Sequence, residues 1–193
     1  MATQEQRRAT TRAKLINASR EHFALYGYES THTNDILQDI GLSRGALYHH
    51  FASKQDLFEA VFVTIVNETI EYAKTHTEVG KSPLETLISA CIAWLRAAQR
   101  REVSVILLDQ GPRVLGWKRA RDLEAKSNLS LIKKSLERAV AEGEVRVHSV
   151  ELTARLINAM VGEAALVVLN KDGSKLLAES EAMIRQFIEG LRA

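Results

Sequence analysis

Two short helical segments that meet at one tight turn constrain this chain more than any other part of its 193-residue sequence. The first starts at about residue 33 and ends at Gly41, a residue type that readily adopts the left-handed backbone closing a helix. Ser43 then supplies a hydroxyl of the kind preferred at an N-cap, and the second segment continues to about residue 49. Because only Gly41 and Leu42 separate the segments, the sequence predicts a helix-turn-helix.

Further helices are predicted on both sides of this corner. Residues 10–26 repeat apolar side chains at three-to-four spacing, and Gly27 is expected to end that helix. Thr33 is expected to be the N-cap of the second helix. A capping box at residues 53–56 (Ser-Lys-Gln-Asp) predicts a long helix over residues 54–74.

The remainder of the chain is predicted to be a helical bundle. No linker rich in Gly, Ser or Pro precedes it, and the expected domains are residues 1–54 and residues 55–193. The fold class is therefore all-α, with about nine helices. The main features expected in the bundle are a start at Ser82-Pro83, a break at residues 110–112, one long helix over 117–142, a Ser149 cap, and an apolar helix over 150–169.

Positive charge is concentrated at one end of the chain. Residues 1–54 contain seven Lys/Arg and five Asp/Glu, whereas residues 55–193 contain nineteen of each. This asymmetry indicates contact with a polyanion, and a solvated basic tail is the alternative. Arg7 and Arg8 are expected to be disordered in the absence of that partner.

Several classes of protein are excluded or disfavoured by residue content. The single cysteine, Cys91, rules out an intramolecular disulfide and a cysteine-based zinc site. No nucleophile and base, metal-spaced acidic or histidine set, or glycine-rich phosphate loop indicates an enzyme, a metal site or a cofactor. The most apolar stretch, residues 164–169, is too short for a bilayer, so we expect a cytoplasmic protein without a membrane partner.

Residues 12–62 resemble the TetR family of repressors almost end to end. The matching pieces, in order, are Leu15-Ile16-Asn17-Ala18 with Phe23, Gly27-Tyr28-Glu29, Thr33-Asn34-Asp35-Ile36, residues 41–51 (Gly-Leu-Ser-Arg-Gly-Ala-Leu-Tyr-His-His-Phe), and Ser53-Lys54 with Leu57. The resemblance implies an N-terminal DNA-binding domain whose third helix reads the major groove. His22 and His32 depart from the usual pattern, and His32 puts in doubt the contacts made just before the second helix.

Arg44 is the first candidate for reading bases. An arginine can donate two hydrogen bonds to guanine O6 and N7, and the major groove admits one helix. Ser43 lies beside it, and Gly45 would allow close approach. The resemblance adds phosphate contacts, and the remaining candidates for DNA binding are Arg12, Thr33, Asn34, Tyr48, His49, His50 and Lys54. Thr33 and Ser43 would cap helices in any case, Tyr48 can simply pack, and His50 can be a buried hydrogen-bonding residue.

The resemblance also implies a homodimer formed by the last two helices, and a small molecule bound within the bundle. A two-fold dimer would read the two half-sites of a palindromic operator in double-stranded DNA. Aromatic residues, or polar ones on apolar helical faces, are the candidates for an effector pocket: Cys91, Trp94, Trp117, Asn128, Asn158 and Glu163. The tryptophans can instead be core residues, and Asn158 and Glu163 can belong to the dimer interface.

The resulting interpretation is a dimeric repressor that an unknown small-molecule effector releases from its operator. The alternatives are a helical interaction protein and a regulator that needs no ligand. A helical enzyme is the least supported reading.

Overall fold

Every regular element in residues 3–125, 128–169 and 173–193, the part of the chain that the computed structural model describes, is a helix. An isolated antiparallel bridge joins Val145 to Arg192. The predicted all-α fold is therefore confirmed. The elements are α1 Gln4–Ser30, α2 Thr33–Ile40, α3 Arg44–His50, α4 Lys54–Thr75, α5 Pro83–Ala97, α6 Arg101–Val103, a π-helical segment Ser104–Gln110, α7 Gly111–Leu115, α8 Trp117–Ala125, α9 Asn128–Ala141, α10 Val150–Leu169 and α11 Gly173–Glu189.

The first helix starts earlier than the apolar pattern predicted. The Thr3 hydroxyl accepts a hydrogen bond from the Gln6 N–H at 3.2 Å, and Gln6 Oε1 accepts one from the Thr3 N–H at 2.8 Å. This capping box satisfies two N–H groups at the helix end and starts α1 at Gln4. Arg7 and Arg8 consequently lie in a helix, and the expectation that they are disordered was wrong.

Thr33 is not the N-cap of α2. His32 has the extended backbone of a cap, with φ −99° and ψ 135°, and its carbonyl accepts hydrogen bonds from Asp35 and Ile36. Thr33 is already the first helical residue, so its hydroxyl is not in the cap position. Thr31, the residue before His32, anchors the turn by donating its hydroxyl to the Gly27 carbonyl at 2.7 Å.

The predicted break at residues 110–112 is also absent. A continuous helical path runs from α6 through the π-helical segment into α7, and it ends at Gly116, where φ is 80°. Proline has no N–H to donate, and Pro112 lies in the first turn of α7, where an N–H would have no intrahelical partner. The wider π turn before it joins the two helices without a loop.

Gly111→Ala is expected to lower the free energy of unfolding by about 1–3 kcal/mol, because an added methyl overpacks a filled core. A Cβ on Gly111 would lie 2.3 Å from Phe62 Cε2 and 3.2 Å from the Ile106 carbonyl oxygen. Gly45→Ala is the matched control, since its Cβ would meet only Ser43 Oγ, at 3.8 Å. Urea denaturation of both variants measures the difference, and equal stability of the two would contradict the packing argument.

The helix expected over residues 117–142 is described as two pieces, α8 and α9, and residues 126 and 127 lie outside the described residues. Its predicted end is confirmed, because Gly143 has φ 74° and donates its N–H to the Val140 carbonyl. The Ser149 cap is confirmed too, since its hydroxyl accepts from the Leu152 N–H at 3.2 Å.

Polar contacts join α1 to the bundle. The Arg20 guanidinium donates to Glu68 of α4 at 2.6 Å and to Glu102 of α6 at 2.5 Å. Gln110, which is 4% exposed, donates through Nε2 to the Phe23 carbonyl of α1 at 2.9 Å. One cluster of buried apolar residues includes both Phe23 and the bundle helices, so α1 is packed against the bundle rather than tethered to it.

Candidate nucleic-acid interface and internal cleft

The third helix turns one side to the core and the other to solvent. Leu47 is 2% exposed and Phe51 is 5% exposed, so these two residues fix the helix in place. The Ser43 hydroxyl accepts from the Ala46 N–H at 3.2 Å, which confirms the predicted cap. The residues on the exposed side are Ser43, Arg44, Gly45, Tyr48 and His49.

The exposed side of α3 is shaped for contact with another surface. The Arg44 guanidinium lies over the Tyr48 ring, 5.6 Å from its centroid, and neither side chain is buried by the protein itself. Gly45 has almost no neighbour that would clash with a side chain, so the fold does not require glycine there. Its absent side chain leaves the backbone of the first turn of α3 open to close approach.

The basic candidates around α3 are held by aromatic rings. Lys54, the first residue of α4, places its ammonium 4.3 Å from the Tyr28 ring centroid and donates to the Glu29 carbonyl at 3.5 Å. Arg12 of α1 lies over the Phe51 ring at 5.2 Å. Tyr28 belongs to the Gly27-Tyr28-Glu29 motif, and no role was predicted for it. Its position before the helix-turn-helix offered no signal that it would support Lys54.

The remaining candidates lie at the edge of the same surface. Thr33 is half-buried and Asn34 is exposed, both in the first turn of α2. The pKa of His50 is lowered by desolvation and by the positive charges of His49, Arg8 and Arg12. Those surroundings favour an anion at this edge. The structure thus places nine of the ten candidates for DNA binding on the helix-turn-helix or at the start of α4, and the tenth, Arg12 of α1, over Phe51 at the end of α3.

The unusual His22 has a partner in the helix-turn-helix. Its Nε2 lies 2.7 Å from the Asp39 carboxylate of α2, and its side chain is 13% exposed. This contact links α1 to α2 and explains how a histidine is tolerated at a position where an apolar residue is usual.

A cleft runs between the bundle helices, made of three adjoining cavities that all touch Asn158 of α10. The first lies among α4, α5, α9 and α10, and its empty volume is about 560 Å³. The other two extend toward the π-helical segment, α7 and α8. All six pocket candidates line this cleft: Cys91, Trp94, Asn128 and Asn158 in the first cavity, and Trp117 and Glu163 in the third.

The lining is apolar with a few polar groups. Asn128 Nδ2 donates to Asn158 Oδ1 at 2.7 Å across the cleft. Burial raises the pKa of the Cys91 thiol to about 12, so Cys91 is a neutral wall residue. Trp94 is half-buried, whereas Trp117 is 61% exposed at the outer end, with the Arg121 guanidinium 4.6 Å from its ring centroid.

Glu124 is a cleft residue that sequence reasoning missed. It lines both the second and the third cavities, and burial raises the pKa of its carboxyl group to about 7, against a smaller lowering by Arg121. On an amphipathic helix with several other charged residues, nothing in the sequence distinguished this carboxylate from its solvated neighbours. Its burial depends on where the π-helical segment and α10 lie.

Glu124→Gln is expected to stabilise the protein at alkaline pH. A carboxyl with a folded-state pKa raised from 4.5 to about 7 stabilises the fold below pH 4.5, and that stability is lost as the pH rises through 7. Relative to the parent, the variant should therefore gain up to about 3 kcal/mol between pH 4.5 and pH 8. Urea denaturation across this range measures it. Asp122→Asn on the same helix is the control, and an equal pH dependence in both variants would contradict the assignment.

A second apolar surface is exposed on the last two helices. Leu152 and Leu156 of α10 are 57% and 61% exposed, and Met183 and Phe187 of α11 are 49% and 59% exposed. Helix α10 also buries Ile157 and Val161 on its other side. Because both sides of α10 are apolar, its mean hydropathy is 1.6 and it has the length and composition of a membrane span. Only 28% of that window is buried within the single chain.

Two models of one family match this chain. The model described as "Tetracyclin repressor-like, C-terminal domain" matches residues 84–191, which is more than half of the chain. The model described as "Bacterial regulatory proteins, tetR family" matches residues 15–61, which includes the helix-turn-helix.

Two curated proteins and one solved structure are similar to this chain. The transcriptional repressor KstR2 of Mycolicibacterium smegmatis is 29% identical over 51% of this chain, and the match spans 48% of that protein. The Transposon Tn10 TetC protein of Escherichia coli is 20% identical over 98% of this chain and 96% of its own. The crystal structure of a TetR-family transcriptional regulator from Pectobacterium atrosepticum is similar with TM-score 0.84 and 28% identity, and it covers 100% of this chain and 98% of that one.

Proposed function

Because this chain belongs to the TetR family, it is a DNA-binding transcriptional regulator, and we propose that it acts as a homodimeric repressor released from a palindromic operator by a small molecule. The observation that carries the proposal is the exposed side of α3, with Arg44 free of ion pairs among the described residues. An arginine on an open helix surface, flanked by a glycine, fits the edge of a guanine in the major groove. Residues 1–54 form the DNA-binding domain in this proposal, and the site of action is the cytoplasm.

The apolar surface of α10 and α11 supports the homodimer. Leu152, Leu156, Met183 and Phe187 expose large apolar side chains on two neighbouring helices, which is the composition of the centre of a subunit interface. Two copies related by a two-fold axis would pair α10 and α11 of each chain. Their α3 helices would then contact two half-sites about one helical turn of DNA apart.

The cleft supports release by a small molecule. It has an apolar lining with few polar groups, among them Asn128 and Asn158, which is the composition of a ligand site. The π-helical segment lines it through Leu107 and Leu108 and also contacts α1 through Gln110. A ligand that displaces this segment would therefore act directly on the DNA-binding domain.

The test is fluorescence anisotropy with a labelled duplex from the region upstream of the protein's own gene. Phosphate contacts from two subunits predict a loss of affinity of about a thousandfold between 50 and 200 mM salt. A duplex of unrelated sequence is the control and should bind at least about a thousandfold more weakly at physiological salt. Weak, salt-independent binding would contradict DNA regulation. A ligand that fills the cleft without releasing the duplex would favour a regulator that needs no ligand.

A further inference from the structure

We propose that the cleft binds a lipophilic ligand carrying a basic nitrogen, with the nitrogen held by the carboxylate of Glu124. This inference rests on the proposed function, because it names the chemical class of the molecule that the cleft accepts. Glu124 lies where the second and third cavities meet, so a group placed opposite its carboxylate is within reach of both.

The Glu124 carboxylate has no hydrogen bond to any residue that the structure describes. Its side chain is half-buried where the two cavities meet, and desolvation there is the main cause of its raised pKa. A partly desolvated carboxylate without a hydrogen-bond donor is less stable than a hydrated one, and a donor that also carries positive charge offsets that loss. The site therefore has an unmet requirement that a protonated amine or amidine would satisfy.

No charged group near Glu124 in the described residues donates a hydrogen bond to its carboxylate. Arg121, one turn earlier on α8, lines the third cavity and its charge lowers the pKa of Glu124, but its side chain is exposed and its guanidinium is stacked over the Trp117 ring. Glu163 of α10 lines the same cavity and adds a second negative charge. At the far end of the cleft, the ammonium of Lys74 is 3.2 Å from the Glu71 carboxylate. At the end of the cleft where Glu124 lies, two carboxylates thus face one guanidinium.

The rest of the lining determines the remainder of the ligand. Leu107 and Leu108 of the π-helical segment form one wall, and Trp94 and Leu166 extend the apolar surface in the two directions along the cleft. The second and third cavities share Leu107, Leu108 and Asn158, so one apolar ligand body can contact both. In residues 3–125, 128–169 and 173–193 no group of three His, Cys, Asp or Glu could hold a metal ion, so the organic cation is favoured over a metal.

The experiment compares three probes with the same phenylbutyl body: 4-phenylbutylamine, 4-phenylbutan-1-ol and 4-phenylbutyrate. The only two tryptophans, Trp94 and Trp117, both line the cleft, so intrinsic fluorescence reports binding. At pH 8 the Glu124 carboxyl is ionised, and the amine should bind at least about tenfold more tightly than the alcohol, as a charge-assisted hydrogen bond predicts. The carboxylate probe should bind most weakly.

Glu124→Gln should remove the preference for the amine, lowering its affinity at least about tenfold while changing that of the alcohol less than about threefold. Asp122→Asn, an exposed acid on the same helix that lines none of the three cavities, should leave all three affinities unchanged. Equal binding of amine and alcohol, or an amine preference that survives Glu124→Gln, would overturn the inference.

Release of the labelled duplex, measured in the same samples, tests the proposed function separately from the ligand class. Amine binding that depends on Glu124 but leaves the duplex bound would support the ligand class and contradict release. Failure of all three probes to alter the fluorescence at about 5 mM, a concentration that detects even weak ligands, would contradict the inference, whereas the salt and sequence dependence of duplex binding would still test the proposed function.

Discussion

Arg44→Ala is expected to weaken binding to the operator by at least about a hundredfold, while binding to unrelated DNA changes only about threefold. Each bidentate contact between arginine and guanine contributes about 1–3 kcal/mol of discrimination, and a dimer has two copies of Arg44. The structure leaves the Arg44 side chain exposed on α3, with Tyr48 as its neighbour. Its removal should therefore weaken operator binding without destabilising the fold. Circular dichroism and thermal denaturation would verify that the variant is folded.

Lys54→Gln is the matched comparison for this prediction. Lys54 is placed at the start of α4 and held by Tyr28, outside α3, and we expect it to contact a phosphate rather than a base edge. Its loss should weaken operator and unrelated DNA by similar factors and reduce the slope of log affinity against log salt by about 2 per dimer. If Arg44→Ala behaved in the same way as Lys54→Gln, the assignment of base reading to Arg44 would be wrong.

The double variant Leu156→Glu with Phe187→Glu is expected to convert the proposed dimer to a monomer and to reduce operator affinity at least about a thousandfold. Four carboxylates would have to enter an apolar interface without partners, and each buried charge costs several kcal/mol. A monomer also loses the gain from joining two half-site contacts in one particle, which is about a hundredfold or more. Both side chains are more than half exposed in the single chain, so the monomer should remain folded.

Analytical ultracentrifugation with anisotropy on the same samples measures both effects. Val79→Glu is the control, because Val79 is 89% exposed and lies between α4 and α5, outside the two helices of the proposed interface. A double variant that remained dimeric would show that another surface joins the subunits. A monomer that kept full operator affinity would contradict the two-half-site geometry.

The parts of the fold that were predicted correctly depend on local sequence. Gly41 and Ser43 determine the turn and the cap by their own backbone and hydroxyl preferences, and α3 lies where those preferences placed it. The N-cap of α2 was predicted at Thr33, one residue too late. His32 takes the extended conformation of the cap, and its carbonyl rather than a side chain accepts the first hydrogen bonds of the helix. Threonine is a better cap by preference, but the anchored turn at Thr31 determines which residue occupies that position.

The features that could not be predicted depend on contacts between distant parts of the chain. A π-helical segment has no sequence pattern that separates it from an α-helix, and its place beside α1 is held by Gln110, 87 residues from its partner Phe23. Glu124 is buried only because this segment and α10 enclose it. The six pocket candidates were brought to one cleft as expected, yet their contact with a ligand remains a prediction.

The cation–π contact of Lys54 determines when its side chain loses conformational entropy. A free lysine side chain gives up about 1.5–2 kcal/mol of rotamer freedom when it is fixed. The Lys54 ammonium already lies on the Tyr28 ring and within 3.5 Å of the Glu29 carbonyl oxygen. Much of this ordering therefore happens when the chain folds, before any phosphate arrives, and a contact made by Lys54 would be stronger than one made by a lysine on an open surface.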